Sequence, residues 1–312
     1  MSQVSYSSQI AASQSNSPKH LVLLDTDIGD DIDDALALAL VLRSPEIELK
    51  AVTTVFGDTR KRAHLAAHVL QTFGREDIPV AAGLDVPLQP HHRPSGVPQA
   101  AILNSCTAPP SLSSYSAPEL IVQEAMRQQG RLTLLCLGPL TNVAIALTIE
   151  PRLFMAIRNI VMMGGTSSFP WPEWNILSDA SAAQIVLAAG VPVTMVGWDI
   201  TMRCQLRESD VERLGFESSP QTRLLSALLA VWQRHRPRWQ PKLPYLHDPL
   251  TVVALCAPEL FKFHETTARV FVNGPFQGFM VPRLMDGPLV QAATEVQADK
   301  AREWIMQRLL YR

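Results

Sequence analysis

Six aspartates lie within the ten residues 25–34, which read Asp-Thr-Asp-Ile-Gly-Asp-Asp-Ile-Asp-Asp. Carboxylates this close together in one loop repel each other unless a cation gathers them. Their hard oxygen donors favour Mg²⁺ or Ca²⁺ over zinc or copper. The alternative is an acidic, solvated turn that caps the next helix, because aspartate is favoured at helix N-termini. An exposed cap does not explain why Asp25 and Asp27 follow directly after an apolar run, so a metal site is the preferred interpretation.

The segments on either side indicate how these aspartates are positioned. Residues 21–24 form a continuous apolar run, typical of a strand that is buried on both faces of a parallel sheet. A helix is predicted from Asp34, since residues 35–42 are apolar all round. Ligand sites of α/β sheets form at the carboxyl ends of strands, and Asp25 and Asp27 fall at such an end.

The rest of the chain alternates between predicted strands and helices, which indicates an α/β fold with a wound sheet. Further strands are expected at residues 49–55, 79–83, 132–137, 160–163, 193–196, 268–272 and 288–293. Further helices are expected at residues 60–73, 141–149, 180–189, 222–234 and 249–256, with a closing helix from Asp299. Residues 84–118 are rich in Pro, Ser and Gln and predict a long surface excursion.

Composition and charge place the chain among ordinary globular proteins. With 312 residues, 47% of them hydrophobic and 18% charged, it can bury a large core. A formal net charge of −2 gives no basic excess, so we expect no nucleic-acid partner. Every apolar run is too short to cross a bilayer, so we expect no membrane partner. Four widely spaced cysteines without a Cys-x-x-Cys pair fit reduced thiols in a cytoplasmic protein.

The N-terminus has the composition of a tail and not of a secretion signal. Residues 1–19 contain seven serines and have neither a basic start nor an apolar stretch. We therefore expect a disordered tail over residues 1–19 and one large domain over residues 20–312.

Four stretches resemble motifs of the inosine-uridine nucleoside hydrolase family, in the same order. They are residues 25–35, Gly-Pro-Leu-Thr-Asn at 138–142, Met-Met-Gly-Gly at 162–165 with Glu-Trp-Asn-Ile at 173–176, and His-Asp-Pro-Leu at 247–250. The resemblance implies a Rossmann-like nucleoside hydrolase fold, with a mostly parallel central sheet flanked by helices, and a homodimer or homotetramer. It also implies hydrolysis of the N-glycosidic bond of ribonucleosides to free base and ribose.

The first motif departs from the family pattern, which reads Asp-x-Asp-x-Gly-x-Asp-Asp-Ala. Two residues are inserted between the glycine and the aspartate pair, so an ungapped alignment places Asp31 and Ile32 where two carboxylates are needed. Isoleucine cannot ligate a metal ion. Asp33 and Asp34 lead into Ala-Leu-Ala as in the family, so we interpret them as the functional pair, with Asp30 and Asp31 as additional loop charge.

The resemblance implies a Ca²⁺ site and a general base. Asp27, Asp34 and Asp248 would ligate Ca²⁺ together with the backbone carbonyl of Leu137. Calcium is a weaker acid than zinc, so a nearby carboxylate has to take the proton of the Ca²⁺-bound water that attacks C1′ of the ribose. The resemblance assigns this role to Asp27.

The remaining motif residues would bind the substrate or protonate the leaving base. Asp33 would accept hydrogen bonds from the ribose hydroxyls, while Glu173 and Asn175 would hold the far side of the sugar at its 5′-hydroxyl. Met163 would line the pocket. His247 would donate a proton to the leaving base, because imidazole titrates near neutral pH.

The resemblance suggests roles for two further groups of residues. Asp58 stands where many family members carry Asn, so it would hydrogen-bond near the water or metal as part of the substrate site, and its carboxylate would also alter the charge of that site. Trp232, His235, Arg236 and Trp239 precede the fourth motif. They would recognise the base, or they belong to the core or to an interface.

Two other functions fit part of the pattern. In haloacid-dehalogenase-like phosphohydrolases, an Asp-x-Asp after the first strand carries a nucleophile and a general acid around Mg²⁺, and residues 25–27 fit that motif. Such proteins expect Thr or Val where Gly29 stands, and they do not explain the pair His247–Asp248. A catalytically inactive nucleoside- or ribose-binding protein would show the same residues, so the sequence leaves that alternative open.

Overall fold

A nine-stranded sheet crosses the computed structural model, which describes residues 19–89, 96–105, 111–216, 218–238, 240–284 and 286–310. The strands are β1 His20–Thr26, β2 Ile47–Thr54, β3 Val80–Ala82, β4 Leu132–Cys136, β5 Ile157–Met163, β6 Val193–Val196, β7 Phe261–Val270, β8 Met280–Pro282 and β9 Leu289–Val296. Their order across the sheet is β3-β2-β1-β4-β5-β6-β9-β7-β8. Neighbours from β3 to β9 are parallel, whereas β7 runs antiparallel to β9 and β8. The predicted α/β fold with a mostly parallel sheet is confirmed.

Twelve α-helices accompany the sheet within the described residues. They are α1 Asp33–Arg43, α2 Thr59–Thr72, α3 Ala117–Gln128, α4 Thr141–Ile149, α5 Leu153–Ala156, α6 Trp174–Ser178, α7 Ala180–Ala188, α8 Trp198–Thr201, α9 Glu208–Phe216, α10 Pro220–His235, α11 His247–Cys256 and α12 Ala298–Leu310. Two 3₁₀ helices span Pro98–Ser105 and Pro258–Leu260. Among the helices described, none has the length and apolar character needed to cross a membrane.

The sheet separates two hydrophobic cores, and β1 contributes to both. Val22 and Leu24 pack in one core with the apolar helix α1, whereas Leu23 packs in the other core with residues of α3, α4 and α7. Successive side chains of a strand point to opposite faces of the sheet, so a strand covered on both faces needs apolar residues at every position. This explains the continuous apolar run at residues 21–24.

The sequence did not predict helix α3, which lies at the end of the Pro- and Ser-rich region 84–118. Ser116 and Glu119 form a capping box at its N-terminus, and Pro118 lies in its first turn. Ser, Pro and Glu at this spacing are a helix start signal. Ser and Pro are abundant throughout residues 84–118, so this helix start signal was not recognised in the sequence. The predicted tail lies outside the described residues up to position 18, as does Trp239.

The carboxyl-terminal strands also differ from the prediction. β7 begins at Phe261, seven residues before the predicted strand 268–272. Lys262 and Glu265 are exposed on it, because an antiparallel strand can face solvent on one side and then lacks a continuous apolar run. The short strand β8 and the helices α5, α6, α8 and α9 were likewise not predicted from the sequence.

Candidate metal centre and active site

The carboxyl ends of β1, β2 and β4 meet at one edge of the sheet. Asp25 of β1 pairs with Thr53 of β2 on one side and with Cys136 of β4 on the other. Just beyond β4, the Leu137 backbone N–H donates to the Asp25 carbonyl oxygen at 2.8 Å. The loops that follow these strands therefore leave the sheet side by side, at the position where α/β sheets bind ligands.

Three buried carboxylates converge at this edge. Each of Asp33, Asp34 and Asp248 offers a carboxylate oxygen, and these oxygens lie within 4.8 Å of one another. Asp33 and Asp34 occupy the first turn of α1, and Asp248 occupies the first turn of α11. The three side chains are at most 4% exposed. A cluster of this kind could hold a divalent metal ion. Buried carboxylates have little solvent to screen their mutual repulsion, and a bound cation would offset it.

Hydrogen bonds fix the two helix starts relative to β1. The Thr26 hydroxyl donates to Asp34 Oδ1, and the Asp248 backbone N–H donates to Asp33 Oδ2 at 3.3 Å. Ile32, the residue that precedes α1, has no capping side-chain hydrogen bond. Asp33 and Asp34 therefore do not form the exposed helix cap that the sequence left as an alternative to a metal site.

The pKa values of these carboxyl groups show how strongly the cluster disfavours negative charge. Burial is the largest cause that raises the pKa of Asp33, Asp34 and Asp248 well above the ordinary value, and repulsion among the carboxylates adds to it. Burial also raises the pKa of Asp27 to about 7, although the Arg62 guanidinium opposes that shift. A bound cation would offset this cost by neutralising the charge.

Asp27 approaches the cluster from the end of β1. Its side chain is 8% exposed, and its charge contributes to the raised pKa of all three clustered aspartates. A Cβ atom at Gly138 would lie 2.8 Å from Asp27 Oδ1. Glycine at the start of the second motif therefore provides the space for the Asp27 carboxylate.

Asp25 points to a different set of partners. Its Oδ1 accepts hydrogen bonds from Thr53 Oγ1 at 2.6 Å and from Asn142 Nδ2 at 2.8 Å. Burial raises the pKa of Asp25 to about 7, and these two hydrogen bonds oppose the shift. Asp25 therefore ties β1, β2 and α4 together at the strand ends.

The third motif forms the opposite side of the site. Asn175 Nδ2 donates to the Leu137 carbonyl oxygen at 2.7 Å and to the Met163 carbonyl oxygen at 3.1 Å. Glu173 is 3% exposed and accepts backbone N–H bonds from Gly165, Asn175 and Ile176. Asn175 thus joins the ends of β4 and β5, and Glu173 fixes the start of α6.

His247 begins helix α11, directly before Asp248. Its Nδ1 lies 2.6 Å from the Thr201 hydroxyl, and its ring centroid lies 5.6 Å from that of Tyr245. Desolvation lowers the pKa of this half-buried imidazole to about 4. The imidazole belongs to the residue that directly precedes Asp248 of the carboxylate cluster.

Comparison with known proteins identifies the family. The family model of the inosine-uridine preferring nucleoside hydrolase matches residues 22–303. The chain belongs to this nucleoside hydrolase family. The predicted enzyme class is thereby confirmed, and the haloacid-dehalogenase-like alternative is wrong, since one nucleoside hydrolase model covers most of the chain.

Curated relatives and solved structures agree with this assignment. The probable uridine nucleosidase 2 of Arabidopsis thaliana is 32% identical over 93% of this chain and 97% of its own length. The pyrimidine-specific ribonucleoside hydrolase RihA of Photobacterium profundum is 36% identical over 77% of this chain and 81% of its own length. A plant nucleoside hydrolase structure superposes with a TM-score of 0.84 at 28% identity, covering 95% of this chain and all of that one. A purine-preferring ribonucleoside hydrolase from Gardnerella vaginalis gives a TM-score of 0.82 at 27% identity, covering 93% and 98% of the two chains.

The structure of this nucleoside hydrolase does not bring Asp58 into the carboxylate cluster. Asp58 caps α2, with Oδ1 accepting from the Lys61 backbone N–H at 3.0 Å and Oδ2 accepting from Lys61 Nζ at 2.9 Å. These hydrogen bonds lower its pKa, and its side chain is 46% exposed. Asp58 therefore caps α2 in this structure, and its contact with the substrate stays a prediction.

The residues before the fourth motif divide between core and surface. Trp232 is 3% exposed and packs in the core that contains α1. His235 Nδ1 bonds the Val231 carbonyl oxygen at 2.9 Å, and Arg236 Nη1 donates to the Gln240 carbonyl oxygen at 2.6 Å. The core interpretation of Trp232 is thus the one that the nucleoside hydrolase structure supports.

Sequence reasoning missed three side chains that position the site. Thr26 bonds Asp34, Thr201 bonds His247, and Arg62 bonds the backbone around Asp27. Thr26 stands inside the first motif, so its position between two aspartates was an available signal. Arg62 follows Arg60 and Lys61 at the start of an amphipathic helix, where a run of positive charge indicates a solvated face.

Proposed function

We propose that this nucleoside hydrolase cleaves the N-glycosidic bond of ribonucleosides to free base and ribose, with Ca²⁺ held at the carboxylate cluster. The observation that carries the proposal is the convergence of Asp33, Asp34 and Asp248 at the strand ends. Asp27 is close enough for its charge to raise their pKa values, and His247 directly precedes Asp248 in the chain. These residues provide the groups that the reaction needs: a base for water, a clamp for the sugar and an acid for the leaving base.

The donor set fits a hard divalent cation. The clustered donors are carboxylate oxygens, buried and raised in pKa, which is the chemistry that Ca²⁺ prefers. Asp27, Asp34, Asp248 and the Leu137 carbonyl would hold the ion. That carbonyl already accepts a hydrogen bond from Asn175, and its second lone pair is available. When bound, the ion supplies fixed positive charge beside the attacking water and the ribose hydroxyls.

Asp27 takes the proton of the attacking water. Without a cation, burial raises the pKa of Asp27 to about 7, whereas a bound cation lowers this pKa and holds Asp27 as the carboxylate that can accept a proton near neutral pH. The water oxygen forms a bond to C1′ of the ribose, and the electron pair of the broken C1′–N bond moves onto the base. Asp27 holds the transferred proton until product leaves.

The sugar is bound from two sides. Asp33 accepts hydrogen bonds from the ribose hydroxyls on the side of α1. Glu173 and Asn175 hold the opposite side near the 5′-hydroxyl, and Met163 lines the pocket. The carboxylate of Glu173 is held in place for this contact by the backbone N–H groups of Gly165, Asn175 and Ile176, from which it accepts hydrogen bonds.

His247 protonates the departing base. The Thr201 hydroxyl also donates to the Trp198 carbonyl oxygen at 3.2 Å, so it can accept the Nδ1 proton of His247 and leave Nε2 for the base. Burial keeps the imidazole neutral at neutral pH before substrate binds. Neutral His247 then carries its proton on Nδ1, so Nε2 takes up a second proton from solvent as negative charge builds on the departing base, passes it to the base nitrogen, and leaves the ring neutral again.

We further propose a cytoplasmic location and assembly into a homodimer or homotetramer. Cys136, Cys204 and Cys256 are free thiols, which agrees with a reducing compartment. Met126, Ile149 and Met155 of neighbouring helices expose apolar side chains, which supports self-association.

A three-substrate assay tests the proposed function. The protein is incubated with inosine, uridine and ribose 5-phosphate, and free ribose and free phosphate are measured. Both a purine and a pyrimidine nucleoside are included, because the relatives carry names of both kinds. Ribose release from a nucleoside that stops on chelation supports the proposal. Release of phosphate alone overturns it, and a protein that binds Ca²⁺ but releases neither product is a binding protein.

Cation binding is expected to release about one or more protons per bound ion near pH 6.5. Burial raises the pKa of Asp27 to about 7 and those of Asp34 and Asp248 well above the ordinary value, so the metal-free carboxyls carry protons that a cation displaces. Calorimetric titration with Ca²⁺ in buffers of different ionisation enthalpy measures this number. A binding enthalpy that is independent of the buffer would contradict the prediction.

The metal-free protein is expected to lose stability as pH rises from about 4 to about 7. The folded-state pKa values of the cluster lie above the ordinary aspartate value of 3.8, so in this range the folded protein binds more protons than the unfolded chain. The free energy of unfolding then falls with pH. Denaturant titrations with chelator measure it, and saturating Ca²⁺ is expected to weaken the trend.

Replacement of Asp58 by alanine is expected to cost about 1 kcal/mol of stability through loss of the helix cap. Ribose release is expected to stay unchanged at saturating nucleoside, because the Asp58 carboxylate bonds Lys61 and not the cluster. Chemical denaturation and steady-state kinetics measure the two effects. A rise in KM without loss of stability would instead support the predicted contact of Asp58 with the substrate.

A further inference from the structure

Arg62 is a charged side chain in an unexpected place. It lies in the first turn of α2 and is 0% exposed, the largest among the fully buried side chains of the described residues. A guanidinium is rarely buried to this extent unless its donors are matched to acceptors, because desolvating the charge is costly. Its partners therefore indicate what the burial is for.

The guanidinium joins the turns that follow two strands. Nη1 donates to the backbone carbonyls of Asp27 and Ile28, the latter at 3.0 Å, and to Asp30 Oδ1 at 3.0 Å. Nε donates to the Phe56 carbonyl oxygen at 2.7 Å. Three of these four acceptors belong to the segment between β1 and α1, and the fourth follows β2.

Both turns have irregular backbone that needs such support. Gly29 has φ 130°, and Phe56 has φ 68°, a left-handed conformation that is unusual for a bulky side chain. The first turn has to bring Asp33 and Asp34 back beside Asp27, over a segment two residues longer than the family pattern that the sequence resembles. A planar group with donors in fixed directions can hold carbonyls of both turns at once, which a lysine ammonium cannot.

We propose that Arg62 is a positioning residue of the cation site. It acts through the backbone of residues 27–30 and sets the place of the Asp27 carboxylate relative to Asp34. The inference rests on the proposed function, since it assigns the support of the same site. Arg62 contacts neither the substrate nor the ion.

Because Arg62 is positively charged, its possible roles predict different directions of change in Ca²⁺ affinity when it is replaced. A positive charge close to a cation site repels the cation, so a purely electrostatic role predicts that removing the charge strengthens Ca²⁺ binding. A positioning role predicts the opposite, because the displaced carboxylates bind less well. A purely structural role predicts lower stability with unchanged Ca²⁺ affinity.

The experiment measures Ca²⁺ affinity of the full chain by calorimetry for Arg62→Lys and Arg62→Met. We expect both variants to bind Ca²⁺ about 10–100-fold more weakly, as for other residues that orient metal ligands. The rise in melting temperature on adding Ca²⁺ shrinks in parallel. Unchanged or tighter Ca²⁺ binding in folded variants would overturn the inference.

Arg302→Lys is the matched control for losing a buried arginine. Arg302 is 8% exposed, and its Nη1 donates to both carboxylate oxygens of Asp210, at 2.9 and 2.8 Å. This variant is expected to lower the melting temperature equally with and without Ca²⁺, and to keep the Ca²⁺ affinity. An equal loss of affinity in Arg302→Lys would show that the effect of Arg62 is general destabilisation, which also overturns the inference.

A second pair of variants covers the case in which Arg62 variants do not fold. Asp30→Asn removes an acceptor of Arg62, whereas Asp31→Asn removes the same charge from the same segment without a contact to Arg62 among the described hydrogen bonds. We expect weaker Ca²⁺ binding in Asp30→Asn than in Asp31→Asn, and the reverse order or equality overturns the inference. Wild-type protein that releases ribose but binds no Ca²⁺ would overturn both this inference and the proposed ion. If the wild-type protein releases ribose and binds Ca²⁺, and the Arg62 variants bind Ca²⁺ as tightly as the wild type, this inference alone is overturned.

Discussion

Asp27→Asn is expected to lower ribose release from nucleosides by about 10²–10⁴-fold, the range that positioned acid–base groups contribute. Asparagine keeps the size of the side chain but cannot accept the proton of the attacking water. The same change removes one charge from the proposed ion site, so the rate is measured at saturating Ca²⁺, with Ca²⁺ affinity determined separately. In this way the loss of the base is separated from the loss of the ion.

Asp25→Asn is the matched control for this prediction. It alters another buried aspartate, which lies in β1 two residues before Asp27, and the remaining amide oxygen can still accept from Thr53 and Asn142. We expect a much smaller loss of rate than for Asp27→Asn. Comparable losses for both variants would mean that any change at the end of β1 disturbs the site, and Asp27 would lose its assignment as the base.

His247→Ala is expected to lower the rate with natural nucleosides by about 10²–10⁴-fold. With a riboside whose leaving group is already a stable anion, such as nitrophenolate, the rate is expected to stay near that of the wild type, because that group departs without a proton. Steady-state kinetics with uridine, inosine and nitrophenyl riboside measure the contrast. Equal losses on all substrates would remove the acid role and leave His247 with a structural one.

The fold was largely predictable because its central strands are buried on both faces. Residues 21–24 and 132–137 are nearly all apolar, and such runs are recognisable without an alignment. The antiparallel strand β7 was placed too late in the chain. Which of its faces is covered depends on the packing of other elements against the sheet, such as helix α7, and that is a tertiary property.

The register of the aspartate segment was the point at which the sequence was most ambiguous. Structure resolves it, since Ile32 is fully buried before α1 and Asp33 and Asp34 occupy the first turn beside Asp248. The two additional residues therefore lie in the turn before α1, and the helix begins at Asp33. The assigned roles of these residues in binding and catalysis stay predictions.

Other features depended on contacts that sequence spacing does not encode. The interpretation of Asp58 as a substrate contact rested on its motif position, whereas its pairing with Lys61 follows from the direction of helix α2. For Arg62, the sequence predicted only that it lies in the helix at residues 60–73. Its burial follows from the way two strand-end turns close over it, and only coordinates show that.

Ca²⁺-dependent nucleoside hydrolysis is tested by stripping the protein of metal, adding Ca²⁺ at increasing free concentrations, and measuring the initial rate of ribose release from uridine and inosine. We expect a rate near zero with chelator. With at least one nucleoside, the rate is expected to saturate with Ca²⁺ at concentrations that match the independently measured Ca²⁺ affinity. Asp34→Asn is expected to shift that curve to higher Ca²⁺, since Asp34 lies in the cluster. Ribose release that continues in chelator at the rate measured with Ca²⁺ would contradict the proposed role of the ion.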